Sequence, residues 1–286
     1  MNERLASFWD SERNGSARCR LCPHGCLIPP NESGLCGVRI NRSGTLYAAA
    51  YGLISSIALD AVEKKPLSRF YPGRRVLSIG MYGCNMRCPF CQNHTLSRDY
   101  NLEPNRYIPV EKIVSMAVNT VAEGNIGAAY TYNEPVIGFE YILECMKQIR
   151  NKGLKNVMVT NGYISEEPLL ALLPYTDAMN IDLKAYTDAF YHICGGSLEP
   201  VLRTIRTSAA VCHVEITTLV LPGENERDIR SLASWIASVN PDVPLHLSRF
   251  FPRYQYADRK ETPREAVLRA AEEAKRHLTY VYTGNM

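Results

Sequence analysis

From about residue 75 onward, short apolar runs of strand length alternate with stretches whose apolar residues recur at helical spacing. That is the pattern of successive βα units around a parallel sheet. Six strands are predicted, at residues 75–80, 126–132, 155–160, 178–184, 212–219 and 244–249, with a short final strand at 279–283. The intervening segments carry helical stripes, such as Ile142, Met146 and Ile149, or Ile229, Leu232, Ile236 and Val239. Thr262-Pro263-Arg264-Glu265 reads as a capping box with proline at the first helical position, and Ser197 precedes the helix of Val201, Leu202 and Ile205. Six βα units are two short of a closed eight-stranded barrel, so an α/β fold with a partial (β/α)6 barrel is expected. Its open side would admit a large substrate.

Residues 1–74 follow a different pattern: cysteine and glycine punctuation, then a hairpin through 38–40 and 46–51 about the turn Asn41-Arg42-Ser43-Gly44. The expected organisation is therefore a small cysteine-rich part, 1–74, ahead of a barrel part, 75–286. No internal repeat or low-complexity tract stands out.

Composition adds exclusions. With 46% hydrophobic residues in 286, the chain can bury a full core. A net charge of +3, with Lys and Arg scattered, implies neither a nucleic-acid nor a membrane partner. Residues 1–16 contain no apolar signal region, and no apolar run is long enough to span a bilayer, so a cytoplasmic location is expected. In that compartment ten cysteines stay reduced, and seven of them fall in two tight clusters, which points to metal before disulfides.

One cluster follows the first barrel strand: Gly83-Cys84-Asn85-Met86-Arg87-Cys88-Pro89-Phe90-Cys91-Gln92-Asn93-His94, on a loop because Pro89 opposes a helix. Catalytic groups collect on loops at the carboxyl ends of parallel barrel strands. Three thiolates on a four-iron cluster would leave one iron open to an exchangeable ligand. The alternative is a zinc site with His94 as fourth ligand.

Cys84-x3-Cys88-x2-Cys91, with Phe90 before the third cysteine, resembles the signature loop of the radical S-adenosylmethionine (SAM) superfamily. Longer stretches are similar to one subfamily, the AmmeMemoRadiSam system radical SAM enzymes, themselves similar to activating enzymes of glycyl radical proteins such as pyruvate formate-lyase. They are Cys22-Pro23-His24-Gly25-Cys26, Gly34-Leu35-Cys36-Gly37-Val38, Glu63-Lys64-Lys65-Pro66-Leu67, Tyr130-Thr131-Tyr132-Asn133-Glu134-Pro135 and Leu245-His246-Leu247-Ser248-Arg249-Phe250-Phe251-Pro252. The resemblance implies a [4Fe-4S] cluster on Cys84, Cys88 and Cys91. It also implies SAM on the open iron, reductive cleavage to methionine and a 5′-deoxyadenosyl radical, and an electron donor such as flavodoxin or ferredoxin. Phe90 and Gln92 of the loop are expected among the cofactor contacts.

Alternation along strands supplies further candidates. Asn180, Asp182 and Lys184 share the inward face of one strand, where unpaired charge is costly, so they should meet each other or a polar ligand. In the activating enzymes a similar Asp-x-Lys strand contacts the ribose and carboxylate of SAM. Tyr132, Asn133 and Glu134 stand where superfamily members commonly have Gly-Gly-Glu, which supports the cofactor's amino group. Thr160-Asn161-Gly162 resembles the family's Thr-Asn-Gly, leaving Asn161 as a cofactor contact or a turn former. Glu215 with Thr217, and His246 with Ser248, offer polar groups from two more strands. His246 resembles a histidine near the adenosyl part of the cofactor, with a satisfied core histidine as the alternative. Arg249 points to the other face, as a carboxylate anchor or a surface ion pair.

Cys19-x2-Cys22-x3-Cys26-x9-Cys36 supplies four thiolates, enough for a structural zinc or an auxiliary iron–sulfur cluster. Cys145 and Cys212 read as buried hydrophobes, and Cys194 as a loop thiol with a radical-donating role as one option. Three functions compete: an activase acting on a glycine of a partner protein, a radical enzyme acting on another target, and a non-enzymatic zinc or redox protein.

Overall fold

A computed structural model describes residues 4–102 and 106–286. The amino-terminal part carries six short strands: β1 (Arg4–Leu5), β2 (Trp9–Ser11), β3 (Ala17–Cys19), β4 (Leu27–Ile28), β5 (Arg39–Arg42) and β6 (Thr45–Ala48). They form two three-stranded antiparallel sheets, ordered β1-β6-β5 and β2-β3-β4. The hairpin β5–β6 is tighter than expected, because Arg42 pairs directly with Thr45. Its two turn residues, Ser43 and Gly44, both have positive φ (49° and 94°), a turn whose twist matches that of the strands. Buried Asn41 ties the hairpin down, donating to the carbonyls of Gly15 and Ile28 at 2.8 Å each.

The remainder builds an eight-stranded sheet from β7 (Ser56–Ala61), β8 (Arg75–Gly80), β9 (Asn125–Tyr130), β10 (Lys155–Thr160), β11 (Ala178–Asp182), β12 (His213–Val220), β13 (Leu245–Arg249) and β14 (Val281–Gly284). The order in space follows the chain, β7 to β14, and every neighbouring pair is parallel except β7 with β8. The edge strands β7 and β14 do not pair with each other, so the sheet stays open, as a partial barrel does. Helices α1 (His94–Ser97), α2 (Val110–Asn119), α3 (Phe139–Asn151), α4 (Glu166–Leu172), α5 (Asp188–Ile193), α6 (Leu198–Ala209), α7 (Ile229–Val239) and α8 (Arg264–Ala274) fill the connections. Their apolar stripes face the core: Ile142, Met146 and Ile149 of α3 are buried, as are Ile229, Leu232 and Ile236 of α7.

The six predicted barrel strands and the short final one are all present, and β7 is an addition. Its antiparallel pairing, from Ser56 opposite Gly80 to Ala61 opposite Arg75, starts the sheet ahead of the boundary expected at residue 74. β9 stops at Tyr130 and β11 at Asp182, two residues short of expectation in each case. Past those points the backbone turns to other partners: Tyr132 takes φ 71°, and the Lys184 amide accepts no place in the ladder but donates to the Tyr191 hydroxyl at 3.1 Å. The capping box at Thr262 does not form. Its buried hydroxyl donates to the Val220 carbonyl (2.6 Å), and the Pro263 carbonyl accepts the first turn of α8. Among the described residues no helix is long and apolar enough to cross a membrane.

One irregular segment, residues 64–69, crosses the inner side of the sheet. The Pro66 carbonyl accepts from Asn180 Nδ2 on β11 (2.8 Å), and the Ser68 and Arg69 amides donate to Glu215 on β12 (2.9 and 2.7 Å).

Candidate functional site

The loop after β8 opens onto a cavity of about 400 Å³, lined by Cys84, Cys88 and Cys91 and by side chains from the carboxyl ends of β9 to β13. Backbone and side-chain donors hold the loop in shape. The Met86 amide donates to Cys84 Sγ (3.3 Å), Asn85 Nδ2 to the Tyr163 carbonyl (2.7 Å), the Arg87 amide to the Cys194 carbonyl (2.7 Å), and Arg98 to the Cys84 carbonyl (2.9 Å). Burial pushes the Cys84 and Cys91 thiols up, whereas the Cys194 thiol beside Cys88, reinforced by Lys184, draws Cys88 down. Among the described residues no three donors converge on a point suited to a single ion. His94 is engaged elsewhere, with Nδ1 2.8 Å from Asp99 and its ring stacked on Tyr254, so the Cys3His arrangement is not formed.

The wall facing the cysteines is built by the residues that follow β9 and β10. Glu134 is buried and accepts three hydrogen bonds, from the Val136 amide (3.0 Å), the Thr160 hydroxyl (2.7 Å) and the Asn161 amide (2.7 Å). Desolvation nevertheless outweighs these donors and raises its carboxyl to about 7, with nearby Asp182 adding to the effect. Asn161 links this wall to the cysteine loop, since its Nδ2 donates to Asn85 Oδ1 (2.9 Å) and lies 3.7 Å from Cys84 Sγ. The side chain of Asn133 spans the same gap, accepting from the Met81 amide and donating to the Gly83 carbonyl, each at 3.0 Å.

Tyr132 lines the cavity in the left-handed region that favours glycine. Three anchors hold it there: its carbonyl accepts from Asn93 Nδ2 (2.7 Å), its hydroxyl donates to Asp60 (2.7 Å), and the Lys65 ammonium lies 4.6 Å from the ring centre. The tyrosine thus occupies a backbone conformation that glycine adopts without strain.

Phe90, Gln92, Asp182, Lys184 and Thr217 also line the cavity. Lys184 Nζ sits 3.0 Å from Asp182 Oδ2; burial works against its charge, but Asp182 and the neighbouring thiols prevail and hold its pKa well above the ordinary value. Thr217 donates to Asn180 Oδ1 (3.0 Å). Glu215 and His246 are not among the residues that line the cavity. They pair with each other at 2.6 Å, Glu215 also meets His213 at 2.9 Å, and the Ser68 and Arg69 amides of the 64–69 segment donate to Glu215. Burial alone would raise the Glu215 carboxyl, but the two histidines and two amides hold it at about 2. Arg249 is spent on Glu261 (2.5 Å) and the Thr262 carbonyl (2.6 Å). Ser248, offered by the alternation of β13, lines the cavity as well, and so do Lys64, Lys65, Ser97 and Asn285, which the sequence reading did not assign to the site. Of these four, the two lysines had a signal, within the quoted Glu63–Leu67 stretch.

The sequence pattern that defines the Radical SAM superfamily matches residues 78–236, more than half of the chain. The chain belongs to the radical SAM superfamily. It is therefore an enzyme of radical chemistry, and membership implies a [4Fe-4S] cluster and SAM. Three thiols on one wall of a cavity at the strand ends, with Glu134, Asp182 and Lys184 among its lining, fit that pair of ligands.

Individual relatives differ in how much their names say. The chain is 39% identical to "Uncharacterized protein MJ0808" of Methanocaldococcus jannaschii, across 99% of this chain and 85% of that one. It is 26% identical to a "Putative glycyl-radical enzyme activating enzyme", MJ1227, of the same organism, covering 70% of this chain and 84% of the relative. In fold it resembles a radical SAM methyltransferase from Sphaerobacter thermophilus, with a TM-score of 0.55 and 15% identity over 75% of this chain and 67% of that structure.

Proposed function

We propose that this radical SAM enzyme is an activase: it binds SAM against a four-iron cluster on Cys84, Cys88 and Cys91 and abstracts a hydrogen atom from a glycine of a partner protein. The observation that carries the reading is the cavity that joins the three thiols to Glu134, Asp182 and Lys184. One-electron reduction of SAM at such a cluster supplies methionine and a 5′-deoxyadenosyl radical. The chain's own groups do the binding and orienting. Glu134, which meets no neutralising cation among the described residues, would accept the amino group; Lys184 would hold the carboxylate; Asp182 would accept from the ribose hydroxyls. Phe90, Gln92, Tyr132, Asn133, Asn161 and Thr217 complete the enclosure.

The relatives named as glycyl-radical activating enzymes, together with the open edge of the sheet, favour a protein substrate over a small molecule. The electron comes from a flavodoxin- or ferredoxin-like donor in the cytoplasm. The test is anaerobic iron–sulfur reconstitution, reduction with dithionite, addition of SAM, and assay of 5′-deoxyadenosine, followed by addition of a glycyl radical protein from the same source. An electron paramagnetic resonance doublet of a glycyl radical is expected. Deoxyadenosine without that doublet assigns the enzyme to another substrate, and no deoxyadenosine from an intact cluster sinks the proposal.

A further inference from the structure

Outside the SAM cavity, a second set of thiols surrounds a small enclosed space: Cys19, Cys22, Cys26 and Cys36 line it together with Arg39 and Asn85. Tight turns bring the four together. The Cys19 amide donates to the Cys26 carbonyl (2.9 Å), the Gly25 amide to the Cys22 carbonyl (3.1 Å), and the Gly37 amide to the Gly34 carbonyl (2.9 Å).

Arg39 is the independent observation that points to a ligand. It is 1% exposed, and its Nη atoms reach Glu140 (3.1 Å each) and the Ser7 carbonyl (2.5 Å). Its Nε is buried with no hydrogen-bond partner. A buried guanidinium N–H without an acceptor is costly, and here it belongs to a side chain that lines the same space as the four cysteines. Four metal-bound thiolates carry net negative charge and accept hydrogen bonds at sulfur, which supplies what the orphaned donor lacks.

The position of this space matters as much as its chemistry. His24 Nε2 donates to the Asn85 carbonyl (2.7 Å), the Tyr100 hydroxyl to the Cys36 carbonyl (3.0 Å), and Arg98 to the carbonyls of both Leu35 (3.3 Å) and Cys84 (2.9 Å). Gly83, at φ 86°, packs so closely that a Cβ there would lie 2.6 Å from the Cys36 carbonyl oxygen. The loop of Cys84, Cys88 and Cys91 is therefore stitched on one side to the segments that carry the other four cysteines.

We propose that Cys19, Cys22, Cys26 and Cys36 hold a second, closed metal centre of tetrathiolate class, with Arg39 as its outer-sphere hydrogen-bond donor, and that this centre braces the loop of the first. The four thiols do not converge on one point among the described residues. A single zinc would draw them together, whereas a cluster, in which each thiolate meets a different iron, needs no common point. Both are thiophilic occupants of one site, and metal counting separates them.

The test uses the full chain with Cys84→Ala, Cys88→Ala and Cys91→Ala combined, which removes the first centre and leaves the second intact. After anaerobic purification and reconstitution it should retain one zinc or about four irons per chain. Retention of less than about a tenth of a metal per chain overturns the proposal without touching the assignment of the SAM cavity. In the same background Arg39→Met should weaken metal retention against a chelator about 10- to 100-fold; an unchanged off-rate overturns the role of Arg39. Hydrogen exchange across residues 83–91 should quicken when the second metal is stripped, and unchanged protection overturns the bracing role.

Discussion

Glu134 and Glu215 are both buried carboxylates on the inner side of the same sheet, and their surroundings push them in opposite directions. Glu215, near the floor, meets two histidines and two amides and is held at about 2. Glu134, at the rim, accepts three hydrogen bonds and among the described residues meets no cation, and burial raises it to about 7. The floor is thus electrostatically complete. The rim is incomplete, and the missing counter-charge has the sign of an ammonium group. A buried carboxylate therefore marks a ligand site only when the protein has not already neutralised it.

The largest effect that sharpens this contrast is Cys88→Ala, which should reduce 5′-deoxyadenosine formation to background while thermal unfolding shifts little. Next is Glu215→Ala, which leaves His213 and His246 without their shared acceptor and should cost about 3–5 kcal/mol of stability, read by urea unfolding. SAM affinity of the folded fraction should stay nearly unchanged; a large loss would move Glu215 from floor to rim. Glu134→Gln should do the reverse, weakening SAM binding about 10- to 100-fold by calorimetry with stability at pH 8 undiminished.

The pH dependence separates the two carboxylates by sign. Glu215 lies below its ordinary 4.5, so its contribution is present above 4.5 and is lost as pH falls through about 2, amounting to about 3 kcal/mol. Glu134 lies above 4.5, so its contribution is full below 4.5 and is lost as pH rises through about 7. Stability curves of Glu215→Gln and Glu134→Gln against the parent should diverge in those two windows, and SAM affinity should rise with pH through 7 only where Glu134 is present. The smallest effect is at Thr217, which lines the cavity yet donates downward to Asn180. Thr217→Val should cost about 1 kcal/mol of stability. A SAM dissociation constant that changes more than its stability implies would place the hydroxyl on the cofactor.

Much of this was legible in the residues. The period-two runs located β8 to β14, and the C-x3-C-x2-C loop located the cavity wall, because both are local patterns. β7 was missed because Ser-Ile-Ala-Leu-Asp-Ala lies in a region read for its cysteines and pairs antiparallel, outside the βα rhythm. Alternation also identified the inward polar residues but could not sort rim from floor. That sorting depends on Ser68 and Arg69, whose amides meet Glu215 across 147 and 146 positions of chain. Tyr132 gave no warning of its left-handed backbone, since the anchors that hold it, Asp60, Lys65 and Asn93, come from two other segments.

The stretch that crosses beneath the cavity lies outside the span, 78–236, that carries the superfamily pattern. Plug and socket are therefore encoded separately. A chimera with a relative joined at residue 75 would inherit Glu215 without the two amides that quiet it, so a graft of this chain's barrel should succeed only when both pieces travel together.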